Sequence, residues 1–221
     1  VSLNALNGTY NGMENLGSPI IIGKDAFTFT NSLDGEMDCV RFWDKELTPT
    51  EVSDIATAEL AGIDINPNPF EYLLPNIISE YKFEDNVLDT VGTNDGTATG
   101  VTYVAGLVRQ AAVFNSSLDK VNIPNASDLT FTNGSNDLPF SITFLINPNT
   151  TANNPRLIDK RSADGTNSEF RALLALGYLR FVIVDYSTSG LLRVDTTTTI
   201  PLSTWTHLTV TYNGDGVTPP K

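Results

Sequence analysis

The chain has 221 residues, 40% of them hydrophobic, enough for one large β domain or two smaller ones. Its 13 basic residues stand against 26 acidic ones, a net charge of −13. That balance argues against nucleic acid, which needs clustered Lys and Arg to neutralise phosphates, and against insertion into or adsorption on an anionic membrane. No apolar run approaches the ~18 residues of a membrane span, and the single cysteine, Cys39, permits no internal disulfide.

Residues 1–32 are rich in turns, with Asn7-Gly8, Asn11-Gly12 and Gly17-Ser18-Pro19 interrupting the run. The first residue is Val1 and no signal peptide follows it, so the chain reads as a processed product or a piece of something longer. Pro19 to Gly23 is a short apolar run typical of a strand buried on both sides, and Phe27 and Phe29 alternate with threonines in another candidate strand.

From Met37 to Trp43 the residues alternate with the period of a strand. This predicts Met37, Cys39 and Arg41 on one face and Asp38, Val40 and Phe42 on the other, in a packed strand whose ends lie near solvent. Thr48-Pro49-Thr50-Glu51 then opens a helix near 48–60. Thr48 caps it, Pro49 sits where its missing N–H costs nothing, and Glu51 closes a capping box. Val52, Ile55, Ala56 and Leu60 follow at helical spacing, and Gly62 ends the helix.

Residues 63–79 read as a linker punctuated by Pro67, Pro69 and Pro75. Candidate strands follow at Ser79–Phe83, Val101–Val104, Ala111–Phe114, Phe140–Ile146, Leu157–Lys160, Phe170–Leu174, Leu179–Tyr186, Leu191–Val194 and Trp205–Tyr212. Asn213-Gly214-Asp215-Gly216 is a hairpin turn.

Two stretches carry a resemblance. Gly35, Asp38, Val40, Arg41, Phe42, Leu47, Thr48 and Glu51 fill the pattern that closes laminin G-like, concanavalin A-like jelly-roll domains. Tyr81, Phe83, Asp85, Asp89, Gly92, Asn94, Gly96, Gly106, Ala111 and Phe114 resemble the opening of the same family, and Trp205 to Tyr212 resembles one of its later strands. Arg109-Gln110 departs from it, where a glycine is expected before the alanine, and Phe144 takes the place of the usual tryptophan. The resemblance implies an all-β jelly-roll sandwich of two antiparallel sheets with one short helix.

The order is tail before head. The expectation is the C-terminal part of one jelly roll at 1–62, a linker at 63–79, and the N-terminal part of a second at 80–221. The two pieces look complementary rather than repeated. Three arrangements follow: a window on a longer tandem array, a circular permutant in which 1–62 closes onto 80–221, or strand exchange between subunits.

Glucanases of this superfamily carry a strand motif E-x-D-x-E. The nearest string here places Glu36 and Asp38 in step, but position 40 is Val, so the third carboxylate is missing. His207 is the only histidine, with no nucleophile motif to serve, and reads as a hydrogen-bonded structural residue. The acidic cluster Glu84, Asp85, Asp89 and Asp95 suits calcium, which takes hard oxygen ligands, and family members often hold a structural calcium near the domain's start and closing strand, which adds Asp38 to Asp89 and Asp85 as candidates. Trp43, Trp205, Tyr103, Tyr178 and Tyr186 could stack sugars where exposed, although core packing suits the two tryptophans.

The expected function is a non-catalytic adhesion or structural module in a tandem array, extracellular, on a phage virion or bacterial cell surface. Its partners would be other copies or domains of that array and a surface glycan. The alternative is a carbohydrate-binding module of a secreted multidomain protein. Fold alone does not choose between them.

Overall fold

The structure is a computed structural model and describes residues 2–4, 8–26, 31–66, 74–134, 136–162, 164–165 and 167–221. The described residues form fourteen strands and one α-helix. The strands are β1 (Ser2–Asn4), β2 (Ile20–Ile22), β3 (Gly35–Trp43), β4 (Ile77–Tyr81), β5 (Thr97–Thr99), β6 (Thr102–Ala105), β7 (Gln110–Phe114), β8 (Lys120–Ile123), β9 (Phe140–Pro148), β10 (Arg156–Arg161), β11 (Ser168–Ala175), β12 (Tyr178–Asp185), β13 (Gly190–Asp195) and β14 (Thr206–Tyr212). The helix α1 is Pro49–Leu60. The expected strand at Phe27 and Phe29 and the middle of the linker lie outside the described residues.

Every pairing is antiparallel. One eight-stranded sheet runs β1-β13-β12-β11-β10-β2-β8-β5, and a six-stranded sheet runs β14-β9-β3-β7-β6 with β4 also paired to β3. The fold is thus the all-β sandwich the residue patterns imply. Its inner faces meet in one core that includes Ile22, Phe42, Phe114, Phe140, Phe170 and Phe181. Phe131 and Phe140 stack with ring centroids 4.2 Å apart. At one end of the core, Asp137 accepts hydrogen bonds from Tyr10 Oη at 2.5 Å, Tyr212 Oη at 2.6 Å and the Met13 amide at 2.6 Å, tying the 8–19 loop to β14.

The division into two partial domains does not describe this chain. β2 lies between β10 and β8, and β3 lies between β9 and β7. Residues 1–62 therefore supply interior strands to both sheets, closing onto 80–221 within one molecule. The physical reason is that each piece alone leaves open strand edges and an uncovered apolar face. The linker also ends earlier than expected, because β4 takes Ile77–Ser79.

The simple alternation in β3 fails at Cys39. Its φ is +51°, and the β3–β9 register shifts between Asp38 and Arg41. This bulge turns Met37, Val40 and Phe42 all into the core. Asp38, Cys39, Arg41 and Trp43 face the other way, under α1 and the 107–108 turn. The strand is buried from Met37 to Trp43 rather than open at its ends.

The helix starts as its sequence dictates. The Thr48 side chain accepts the Glu51 amide, Glu51 reaches back to the Thr48 amide at 2.8 Å, and Pro49 occupies the first turn. Ile55, Ala58 and Glu59 form its buried side, with Val52 partly buried, while Leu60 is exposed. The buried stripe is thus rotated from the expected one, because Trp43, Leu47, Ile65 and Ile77 receive it on the outside of the six-stranded sheet.

Candidate functional site

Three places gather polar side chains. The first lies beneath α1. Arg41 is fully buried, and its Nε donates to Glu80 Oε1 at 2.6 Å, its Nη1 to Glu59, and its Nη2 to Asp64 Oδ1 at 3.3 Å. Lys82 Nζ donates to Asp64 Oδ2 at 2.8 Å, and Glu80 Oε2 also accepts from Asn66 at 2.7 Å and Thr90 at 2.5 Å. Two cations thus face three carboxylates. Burial, only partly offset by Arg41, pushes the Glu59 carboxyl up to about 7. Its Oε2 faces His207 Nε2 at 3.3 Å, and neither atom has another hydrogen-bond partner among the described residues. Burial and then the Arg41 charge hold His207 down at about 4, so the ring is neutral at pH 7. His207 is the structural residue its surroundings suggested. Every carboxylate here is engaged in pinning α1 and the 61–66 segment to the sheet.

The second place is the acidic opening of the second piece. Asp89 accepts the amides of Glu80 at 3.0 Å, Val91 at 3.1 Å, Gly92 at 2.9 Å and Asn94 at 3.1 Å. Oδ1 takes three of these amides and Oδ2 one, so Asp89 organises the 89–94 loop through backbone. Asp85 is exposed and accepts from Gln110 at 3.2 Å. Asp38 is buried elsewhere, accepting the Val108 amide at 3.2 Å, and burial raises it to about 7. The three carboxylates have separate partners. Among the described residues, no three His, Cys, Asp or Glu side chains converge as a metal site would require. Glu36 accepts from Asn147 at 3.0 Å, and the bulge after Asp38 removes the strand regularity that a row of catalytic carboxylates needs.

The third place is the outer face of the eight-stranded sheet. Because Ile158, Phe170, Ala172, Phe181, Leu192 and Val194 point into the core, their strand neighbours point out. Two rows cross that face in register: Asp159, Arg171, Val182 and Arg193, and beside it Arg156, Leu173, Arg180 and Asp195. Asp195 joins Arg180 at 3.0 Å and also pairs with Arg193, and those hydrogen bonds hold its carboxyl at about 2. Asp25 folds over from the 23–26 segment and meets Arg156 at 3.3 Å. Tyr178 opens β12 in the outward register and Tyr186 follows its last residue; both are exposed. Trp43 is fully buried and bonded to Thr143 at 3.1 Å, while Trp205 packs beside Cys39, so neither tryptophan is a platform.

Sequence reasoning named Tyr178 and Tyr186 but missed the arginines between them. A signal was available: in an acidic chain, Arg156, Arg171, Arg180 and Arg193 occupy the polar alternates of consecutive strands. Only the second sheet decides that those alternates form one face.

Residues 115–218 match a laminin G-type family model described as the concanavalin A-like lectin/glucanases superfamily. The match spans β8 to β14, and residues 1–114 complete both sheets. No curated protein and no solved structure matches the chain.

Proposed function

Taking the 115–218 match and the two-sheet sandwich together as a concanavalin A-like lectin/glucanase domain, we propose that the chain is a non-catalytic adhesion module that holds a surface glycan. A domain of this superfamily suggests a carbohydrate-binding or structural module. The observation that carries the binding reading is the outer face of the eight-stranded sheet, where two exposed tyrosines bracket β12 and arginines flank it. Aromatic faces stack on sugar rings, and guanidinium groups bond hydroxyl and acidic substituents in fixed geometry. The tyrosines stand eight residues apart, about 26 Å along an extended strand, a span suited to a chain of several sugars.

The non-catalytic part of the reading is supported by where the carboxylates go. Those that approach one another beneath α1 enclose Arg41, and Asp89 accepts four backbone amides. The setting we infer is an array of such modules outside a bacterial cell or on a phage virion, a setting that the acidic composition and the single cysteine fit. A glycan array tests the proposal. Saturable binding that is lost in Tyr178→Ala, with no reducing ends released from the bound glycan, is the expected result. Absence of binding to any glycan, or hydrolysis of a bound one, overturns it.

A further inference from the structure

The chain carries seven arginines, and five of them, Arg156, Arg161, Arg171, Arg180 and Arg193, lie on the outer face of the eight-stranded sheet. The whole chain has a net charge of −13, so this concentration opposes the general field. Three aspartates share the face. Asp25 takes Arg156 and lies 3.8 Å from Arg161, and Asp195 is shared between Arg180 and Arg193. Asp159 is the ladder partner of Arg171, but no ion pair joins them.

Arg171 therefore has no hydrogen-bonded carboxylate of its own, although Asp159 and Asp25 act on it through space. It is partly buried and makes no hydrogen bond or ion pair among the described residues. Burial and the neighbouring Arg156 charge lower its pKa against the opposing pull of Asp159 and Asp25. Burial raises the Asp159 carboxyl to about 6, so it stays mainly ionised at neutral pH and loses its charge only in acid.

We propose that this face selects an acidic polysaccharide, and that Arg171 takes one of its carboxylate or sulfate groups while Arg180 and Arg193 line the path of the next. The proposal rests on the reading of this face as a glycan surface and names the class of glycan. Arg171 and Arg193 lie in one row two strands apart, about 10 Å, with Val182 between them. A flat, rigid row of this kind fits an extended polymer with regularly spaced anions. Planar guanidinium groups bind carboxylate or sulfate through two parallel N–H donors. An acidic protein surface offers charge but no ring for Tyr178.

The test uses the full chain and four probes of matched length: an oligogalacturonate, its methyl ester, a sulfated oligoglucan and a neutral oligoglucan. Titrations are run at low and high salt, with sedimentation velocity of the protein alone. The expected result is binding of the uronate, the sulfated probe or both, weakened by salt, and lowered about 10- to 100-fold in Arg171→Gln with an unchanged melting temperature. The difference between the two acidic probes identifies the anion. Equal binding of ester, neutral and acidic probes, or binding unchanged in Arg171→Gln, overturns this inference and leaves the glycan-binding proposal standing if Tyr178→Ala still abolishes it. Binding of no probe overturns this inference, and the glycan array decides the reading beneath it. Salt-sensitive self-association lost in Arg171→Gln, without glycan binding, assigns the face to a second copy and also overturns the inference.

Discussion

Arg41 and Glu80 face each other across the β3–β4 ladder, with Nε donating to Oε1 at 2.6 Å and both side chains fully buried. They come from the two pieces that the sequence placed in different domains, so the pair is one of the bonds that make this chain a single sandwich. A guanidinium enclosed by Glu59, Glu80 and Asp64 cannot be removed cleanly. Arg41→Ala leaves buried carboxylates without a counter-charge and should destabilise the fold by about 3–5 kcal/mol. Urea unfolding measures it. A loss below about 1 kcal/mol would show that water replaces the guanidinium without penalty.

The Glu59–His207 contact gives a pH signature. His207 falls from 6.5 in the unfolded chain to about 4 when folded. Between those values the unfolded state binds more protons, so this residue makes stability rise with pH across that window. Glu59 and Asp38 act oppositely. Their folded values near 7 exceed the ordinary values of 4.5 and 3.8, so the stability they contribute is present at low pH and is lost as pH rises toward about 7. Replacing His207 with Gln removes only the first effect. Relative to the parent, His207→Gln should gain stability as pH falls from about 6.5 to about 4. Parallel melting curves for the two proteins across that range would show no such divergence if the imidazole were accessible and ordinary.

Gly23 follows β2 at φ +85°, and a Cβ built there would lie 2.2 Å from the ring of Phe114, which is fully buried. Left-handed backbone strain and overpacking act together, and Gly23→Ala should cost about 2–4 kcal/mol. Thermal unfolding of the double variant Gly23→Ala/Phe114→Leu checks the cause. Relief of the ring contact should make the second substitution less damaging in that background than alone.

Asp89 should matter through backbone, not through a metal. Asp89→Asn replaces two acceptor oxygens with one and should destabilise the protein by about 1–3 kcal/mol. The loss should be the same in EDTA and in millimolar calcium, with the parent melting temperature also insensitive to calcium. A calcium-dependent rise that disappears in Asp89→Asn would restore the carboxylate as a ligand.

Residues 74–221 alone lack β2 and β3, which hold interior places in the two sheets. That fragment should stay unfolded, and a separate 1–66 fragment should restore native amide dispersion on mixing. Dispersed amide spectra from 74–221 by itself would mean that the remaining strands close without them.

Local patterns were sufficient for much of this. The capping box at Thr48 and Glu51, the apolar run at Ile20–Ile22, the alternation of β9 and the turn at Asn213–Gly216 are all set by neighbours in sequence, and their periods and cap residues are readable there. The all-β class follows from those periods, and residues 115–218 match a concanavalin A-like family model. Tertiary structure decided the rest. The bulge at Cys39 reverses which side of β3 meets the core, and it arises where β7 and β4 successively take one edge of β3 while β9 holds the other. Arg41 finds Glu59, Asp64 and Glu80 only because α1 folds back over the sheet. The arginines become one surface only because four strands align in register, and because a second sheet claims their apolar neighbours for the core. A period-two pattern tells a strand that it has two faces; it takes the partner layer to say which one is left to solvent.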